Sequence, residues 1–220
     1  MLIDMDDDGL SNTADEILKK YKIDVQALHL DLSEHDAVEH ILKFTQPFHD
    51  RLSVVVNNAG YGLNGAFEEL TLEEQLNIID VNIRAVVKLS HSYIPVLKKF
   101  RKAYLLNVGS TTSYQTVPYL NIYASTKAFV LSFTRGLRYE LRNTTVSVSC
   151  LSPGSTDTDF VKRARMGPSI LKTADKFNMQ PGVVAKIAIK GLFNGKAEFI
   201  PGFTNKLNAY LPKFFSKNIC

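Results

Sequence analysis

LSVVVNNAG, at residues 52–60, joins an apolar run to four small or polar residues. Residues 52–56 are predicted to form a buried strand, because a short apolar run rich in β-branched residues suits a strand that is covered on both faces. Residues 57–60 follow directly, where small side chains would let the backbone approach a flat ligand and the amides could brace neighbouring strands. Asn and Gly are also ordinary turn residues, so a simple turn is the alternative interpretation.

Apolar runs alternate with segments of helical period on both sides of this stretch. The predicted strands lie at residues 2–3, 25–30, 52–56, 104–108, 146–151 and 199–200. The predicted helices lie at residues 11–21, 33–48, 71–99, 121–142 and 181–195. Ser33 with Asp36, and Thr71 with Glu74, have the spacing of capping boxes at helix starts. The alternation predicts a single domain over residues 1–220, with a Rossmann-like, doubly wound parallel sheet in a three-layer αβα arrangement.

Composition excludes several classes of protein. The formal charge is +4 and no basic block stands out, so we expect no nucleic-acid partner. Two cysteines are too few for a disulfide framework and fit a reducing compartment. No apolar stretch approaches the roughly 20 residues that span a bilayer, so we expect a cytoplasmic protein. The five histidines lack metal-ligand spacing, and no metal site is predicted.

Candidate catalytic residues occur at the ends of the predicted strands, where ligands bind in such sheets. Tyr123 and Lys127 are four residues apart on a predicted helix, and an ammonium group beside a phenol lowers the pKa of the phenol. A solvated helix face is the alternative. Ser110 lies 13 residues before Tyr123, at a strand end from which its hydroxyl would reach a shared substrate oxygen. Residues 111–113 offer competing hydroxyls, and the alternative interpretation of Ser110 is a serine that only caps a helix or lies in a loop.

These residues, in this order, resemble the short-chain dehydrogenase/reductase family. The matching positions are Asn57 to Gly60, Asn82, Ser110, Tyr123-x-x-x-Lys127 and Pro153-Gly154. The resemblance extends from Asp4 to the last predicted helix. A nucleoside-sugar epimerase shares Tyr-x-x-x-Lys but fits the strand end at residues 57–60 less well.

The resemblance implies an NAD(P)-dependent oxidoreductase that interconverts a secondary alcohol and a ketone. Tyr123 would act as acid in reduction and as base in oxidation, while Ser110 holds the substrate oxygen. Lys127 would lower the pKa of Tyr123 and bind the nicotinamide ribose, and Asn82 would hold a water molecule. The alternative is a catalytically silent member that serves as a binding or oligomerisation module.

The resemblance also implies a set of cofactor contacts. In addition to Tyr123 and Lys127, the expected cofactor-binding residues are Asp4, Asp31, Leu32, Asn58, Ala59, Gly60, Pro153, Gly154 and Thr156. Asp4 ends a strand where its carboxylate would bind the adenosine ribose and repel a ribose phosphate, which favours NAD over NADP. The alternative is that Asp4 only begins the acidic turn at residues 6–8.

One part of the family pattern is missing. The family's first strand and its Gly-x-x-x-Gly-x-Gly turn are expected roughly 20 residues before Asp4, but only three residues precede it. We interpret the sequence as N-terminally truncated, with Met1 an internal residue of a longer reading frame. A true fragment whose sheet closes differently is the alternative.

Three further expectations concern surfaces. A substrate lid is expected at residues 155–179, and its apolar residues Phe160, Met166, Ile170, Leu171 and Phe177 favour an apolar or amphipathic substrate, unless they serve only for packing. For the tail at residues 203–220, a docked or dimer-facing helix is favoured over contact with a membrane surface. The resemblance places the helices at residues 71–99 and 121–142 in a dimer contact, so a homodimer or homotetramer is expected.

Overall fold

The computed structural model describes residues 1–167 and 178–211, and the chain divides into two compact units, Met1–Leu52 and Ser53–Cys220. Each unit has its own parallel sheet, with strand order β1-β2 in the first and β3-β4-β5-β6 in the second. Over the described ranges, no helix is both long enough and apolar enough to cross a membrane. The expected single domain stays a prediction.

In the first unit, two short strands alternate with two helices. The elements are β1 (Leu2–Asp4), α1 (Asp7–Tyr21), β2 (Ala27–His29), α2 (Ala37–Thr45) and a 3₁₀ turn (Gln46–Phe48). Helix α1 begins four residues before the predicted start at residue 11. The reason is Asp6, whose carboxylate accepts a hydrogen bond of 3.1 Å from the Gly9 amide and so caps the helix.

The capping box predicted at Ser33 and Asp36 is wrong. Helix α2 begins at Ala37, and the Asp36 side chain makes no capping hydrogen bond. The Ser33 amide instead donates to Asp31 Oδ1 at 2.8 Å, which closes a local turn after β2. An Asp side chain can accept a hydrogen bond from the backbone amide two residues later, and this forms a turn in place of a helix start.

The second unit contains the larger, four-stranded sheet. Its elements are β3 (Val54–Asn57), α3 (Leu72–Ile79), a π-helical turn (Asp80–Arg84), α4 (Ala85–Leu97), β4 (Ala103–Val108), a 3₁₀ turn (Thr111–Tyr114), α5 (Asn121–Glu140), β5 (Val146–Leu151), α6 (Phe160–Arg163), α7 (Pro181–Phe193), β6 (Glu198–Phe199) and α8 (Phe203–Tyr210). The capping box at Thr71 and Glu74 is confirmed, with reciprocal hydrogen bonds of 3.2 Å and 3.1 Å.

Strands β4 and β5 form the middle of this sheet and are buried almost throughout. Tyr104 and Leu106 pack with Val184 and Leu192 of α7, whereas the alternate residues of β4 pack with Leu97 of α4. Because neighbouring side chains of β4 enter two different cores, the sheet is covered by helices on both faces. The predicted Rossmann-like αβα class is confirmed.

Candidate active site

Tyr123 lies in the first turn of α5 and is buried. Its hydroxyl is hydrogen-bonded to the Ser110 side chain, just beyond the carboxyl end of β4. Burial raises the pKa of Tyr123 to about 12, and the hydrogen bond with Ser110 opposes part of that rise. The phenol therefore carries its proton at neutral pH and is directed at a second hydroxyl.

Ser110 is held in place by the 3₁₀ turn that follows it. Ser110 Oγ accepts from the Thr112 amide at 3.1 Å, and the Ser110 amide donates to Ser113 Oγ at 3.3 Å. Ser113 Oγ in turn donates to the Lys127 carbonyl at 2.8 Å. Ser110 thus caps this turn and also contacts Tyr123, whereas the hydroxyl of its competitor Ser113 ties the turn to α5.

Lys127 lies one helical turn after Tyr123 and is buried as well, so the solvated-face alternative is wrong for this pair. Its Nζ donates to the Val108 carbonyl at 2.8 Å and lies 5.8 Å from the centroid of the Tyr123 ring. Burial lowers the pKa of Lys127 to about 8. The expectation that this ammonium group lowers the Tyr123 pKa is wrong, because burial of the phenol prevails and raises its pKa.

Asn82 is fully buried in the π-helical turn between α3 and α4. Its side chain pairs with the backbone of Tyr61 through hydrogen bonds of 3.1 Å and 2.9 Å, and also donates to Thr126 Oγ1 at 3.0 Å. The wider turn at this point carries Asn82 toward the loop after β3. Asn82 therefore connects that loop to the helix that bears Tyr123 and Lys127.

The loop after β3 approaches the same side chains. A Cβ placed on Gly60 would lie 2.8 Å from Lys127 Nζ and 3.0 Å from Asn82 Oδ1, so only a glycine lets the backbone come this close. Asn58, Ala59 and Gly60 are all exposed. The exposed backbone of these three residues therefore lies beside the buried ammonium group of Lys127.

Asn107 was missed by the sequence analysis. It is fully buried at the register position opposite Asn57, and Asn57 Nδ2 donates to its Oδ1 at 2.8 Å. Asn107 Nδ2 then donates to Thr134 Oγ1 of α5 at 3.0 Å. The sequence analysis expected the amides of residues 57–60 to brace neighbouring strands. The signal that could have identified the partner is an asparagine near the end of the otherwise apolar strand β4.

Pro153 and Gly154 follow β5 next to the Ser110 turn. The Thr111 amide donates to the Pro153 carbonyl at 2.9 Å, so the two turns are bonded to each other. Thr156 Oγ1 donates to the Gly154 carbonyl at 3.2 Å, and Thr156 also forms a bridge with Met179. These three predicted cofactor contacts thus belong to one turn at the carboxyl edge of the sheet.

Three further predicted cofactor contacts, Asp4, Asp31 and Leu32, belong to the first unit. Asp4 is exposed at the end of β1, and its Oδ1 accepts from the Asp6 amide at 3.1 Å. Asp31 and Leu32 follow β2 and are half-buried. Both interpretations of Asp4 therefore have support, since the carboxylate is open to solvent and also begins the acidic turn.

The predicted lid lies partly within the described residues. Phe160 packs on the catalytic candidate, with ring centroids of Phe160 and Tyr123 5.1 Å apart. Arg165 Nη1 pairs with Glu74 Oε1 at 2.7 Å, and the Asn64 amide donates to the Ala164 carbonyl at 2.8 Å. Ile170, Leu171 and Phe177 of the lid, and Phe214 and Phe215 of the tail, fall outside the described residues.

Comparison with known proteins bears on the family of the chain. The family model for short chain dehydrogenases matches residues 1–168. An uncharacterised oxidoreductase of Staphylococcus aureus is 28% identical over 177 residues, which are 80% of this chain and 74% of that protein.

Two solved structures show the same fold. One is a 3-ketoacyl-(acyl-carrier-protein) reductase from Brucella melitensis complexed with NADH, at 25% identity and a TM-score of 0.76 over 91% of this chain and 86% of that one. The other is a short-chain dehydrogenase from Sphingobium yanoikuyae in complex with NADPH, at 21% identity and a TM-score of 0.79 over 100% of this chain and 87% of that one. Since the family model covers well over half of its residues, the chain belongs to the short chain dehydrogenase family of oxidoreductases.

Proposed function

We propose that the chain is a nicotinamide-dependent oxidoreductase that interconverts a secondary alcohol and a ketone at Ser110, Tyr123 and Lys127. The observation that carries this proposal is the buried Tyr123 phenol, hydrogen-bonded to Ser110 and one helical turn from the buried Lys127 ammonium. A scaffold that served only for binding would have no need to bury a matched acid and base side by side.

Tyr123 moves the proton in this reaction. In reduction, its phenolic O–H donates to the ketone oxygen while Ser110 donates a second hydrogen bond to that oxygen. In oxidation, the deprotonated phenol accepts the proton of the alcohol. A nicotinamide, when bound, would supply or accept the hydride. Lys127 would donate to a ribose hydroxyl of the cofactor.

The residues at the carboxyl edge of the larger sheet suit a nicotinamide nucleoside. The exposed backbone of residues 58–60 and the turn at Pro153 and Gly154 would flank the ring and its ribose. Asp4 and Asp31 would bind the adenosine half, and the Asp4 carboxylate makes NAD the favoured cofactor over NADP. The sequence contains no Gly-x-x-x-Gly-x-Gly turn, so no pyrophosphate contact is assigned. The related structures in complex with NADH and NADPH support a dinucleotide ligand.

The substrate is proposed to be apolar or amphipathic next to its reacting carbon. The Phe160 ring packs against Tyr123 and would form one wall for such a group. Aromatic surface beside the acid excludes water from the reacting oxygen.

Fluorescence titration of the 220-residue protein with NADH and NADPH tests the proposal first. We expect saturable binding of both, with NADH the tighter ligand, and turnover of a secondary alcohol or ketone from a panel of graded chain length. A protein that binds neither dinucleotide would contradict the proposal. Binding without turnover across the panel would favour the silent binding module instead.

A further inference from the structure

Gly154 has a neighbour that the sequence analysis did not connect to it. A Cβ placed on Gly154 would lie 2.4 Å from Asn205 Cγ and 2.4 Å from Asn205 Oδ1. Asn205 is half-buried in the first turn of α8. The side-chain amide of Asn205 is therefore in van der Waals contact with the backbone of the Pro153–Gly154 turn, and the absent side chain of Gly154 is what leaves room for it.

Two hydrogen bonds hold the Asn205 side chain against this turn. Its Nδ2 donates to the Pro201 carbonyl at 2.9 Å and contacts Met179 Sδ at 3.6 Å. Met179 also lies in the short bridge with Thr156. The amide is thus fixed between the start of α8 and the segment that closes the turn after β5.

The rest of α8 is anchored independently of Asn205. The Tyr210 ring at its end packs edge-on against Tyr114, with centroids 5.8 Å apart. Tyr114 belongs to the 3₁₀ turn that Ser110 caps. Helix α8 therefore contacts the Ser110 turn at one end and the Gly154 turn at the other, and loss of the Asn205 amide alone leaves the first contact in place.

We propose that Asn205 is a positioning residue that fixes the Pro153–Gly154 turn and thereby sets the affinity for the nicotinamide half of the cofactor. The effect on cofactor affinity rests on the proposed function. The fixing of the turn concerns the protein without cofactor. The turn is bonded to Thr111, so a displaced Pro153 would also loosen the support of Ser110.

The experiment compares Asn205→Ala with Asn208→Ala, since Asn208 is an exposed asparagine on the same helix. Hydrogen exchange of the free protein is measured over residues 152–157 and at the Thr111 and Met179 amides. Asn205→Ala is expected to accelerate exchange there by about tenfold, and Asn208→Ala to leave it unchanged. NADH titration is expected to show a several-fold weaker affinity for Asn205→Ala alone, with an increase in the cofactor KM larger than any loss of kcat.

A second pair of variants guards against a folding defect. Gly154→Ala should lower the melting temperature because its methyl group meets Asn205, and Gly154→Ala with Asn205→Ala should regain part of that loss. Equal exchange in wild type and Asn205→Ala, or no recovery in the double variant, would overturn the fixing of the turn. Faster exchange with unchanged NADH affinity would overturn the link to the cofactor. If the wild-type protein binds no dinucleotide, both the proposed function and the link between Asn205 and cofactor affinity fail. The hydrogen-exchange comparison still tests whether Asn205 fixes the Pro153–Gly154 turn.

Discussion

The pKa values of Tyr123 and Lys127 depend on their burial and not only on their four-residue spacing. The spacing predicted that the two side chains share a helix face, and the structure confirms this. It also predicted that the ammonium lowers the pKa of the phenol. That depends on the surroundings of both groups, and the structure places them where burial raises one pKa and lowers the other.

Replacement of Tyr123 by Phe is expected to abolish turnover, because Phe lacks the phenolic hydroxyl that exchanges a proton with the substrate oxygen. Dinucleotide affinity should stay near that of wild type.

In the wild type, the oxidation rate should rise with pH, since the pKa of about 12 keeps Tyr123 protonated at neutral pH. Steady-state rates from pH 6 to 10 measure both effects. Tyr139→Phe, at an exposed tyrosine on the same helix, is the control. Substantial activity in Tyr123→Phe would remove Tyr123 from the acid and base role.

Lys127 should make stability depend on pH. Its pKa is about 8 in the folded protein and 10.5 in its reference state, so between these values the unfolded chain binds the extra proton. The free energy of unfolding should then rise with pH over this window, by an amount on the order of 3 kcal/mol at its limit. Urea unfolding of wild type and Lys127→Met at pH 7 and pH 9 isolates the effect.

Lys127→Met should be more stable than wild type at pH 7, with a difference that shrinks at pH 9. The exposed Lys99→Met should show neither change. A constant difference between Lys127→Met and wild type across this range would contradict the assigned cause.

At the scale of elements, β6 is secured by a polar cluster that no sequence pattern indicated. Glu198 accepts a short hydrogen bond from the Tyr114 hydroxyl and pairs with Arg135 of α5 through bonds of 2.9 Å and 2.6 Å. Tyr114 Oη also lies within hydrogen-bond distance of Ser152 Oγ, at 3.4 Å. The cluster joins an edge strand of two residues to a helix and to the Ser110 turn. Its members are far apart in sequence, which is why spacing could not predict it.

Removal of the carboxylate in Glu198→Ala should lower the free energy of unfolding by roughly 2 kcal/mol, because a half-buried phenol and a guanidinium group lose their shared acceptor. Glu140→Ala, at an exposed glutamate near the end of α5, is the matched control and should change stability little. Urea unfolding at neutral pH compares the two. Equal midpoints would show that the cluster adds no net stability.

At the scale of the whole molecule, α5 presents an apolar surface that fits the predicted dimer or tetramer. Phe129 is exposed, and its ring stacks on Phe133 one turn later with centroids 5.8 Å apart. Leu72 and Leu76 of α3 are exposed as well. Exposed apolar surface of this kind is typical of helices that bury a face against another subunit.

We therefore expect light scattering to give the mass of a dimer or tetramer for wild type, and a monomer for Phe129→Glu, since a carboxylate at that position would be buried without a partner. Tyr21→Glu, at an exposed tyrosine of α1, is the control and should keep the wild-type mass. A wild-type protein that is monomeric at all concentrations would contradict the prediction.

The alternation of apolar runs and helical periods determined the αβα class, because burial on two faces of a sheet and on one face of a helix imposes those periods on any sequence. The sequence also determined that Asn57 and Ser110 stand at strand ends and that Tyr123 and Lys127 follow on one helix. Tertiary structure decided which polar residues meet. The contacts of Asn107 with Asn57, of Glu198 with Tyr114, and of Asn205 with Gly154 join residues 50 to 84 positions apart. Such pairs leave no local pattern, since hydrogen bonding and close packing depend on distance in space and not on separation along the chain.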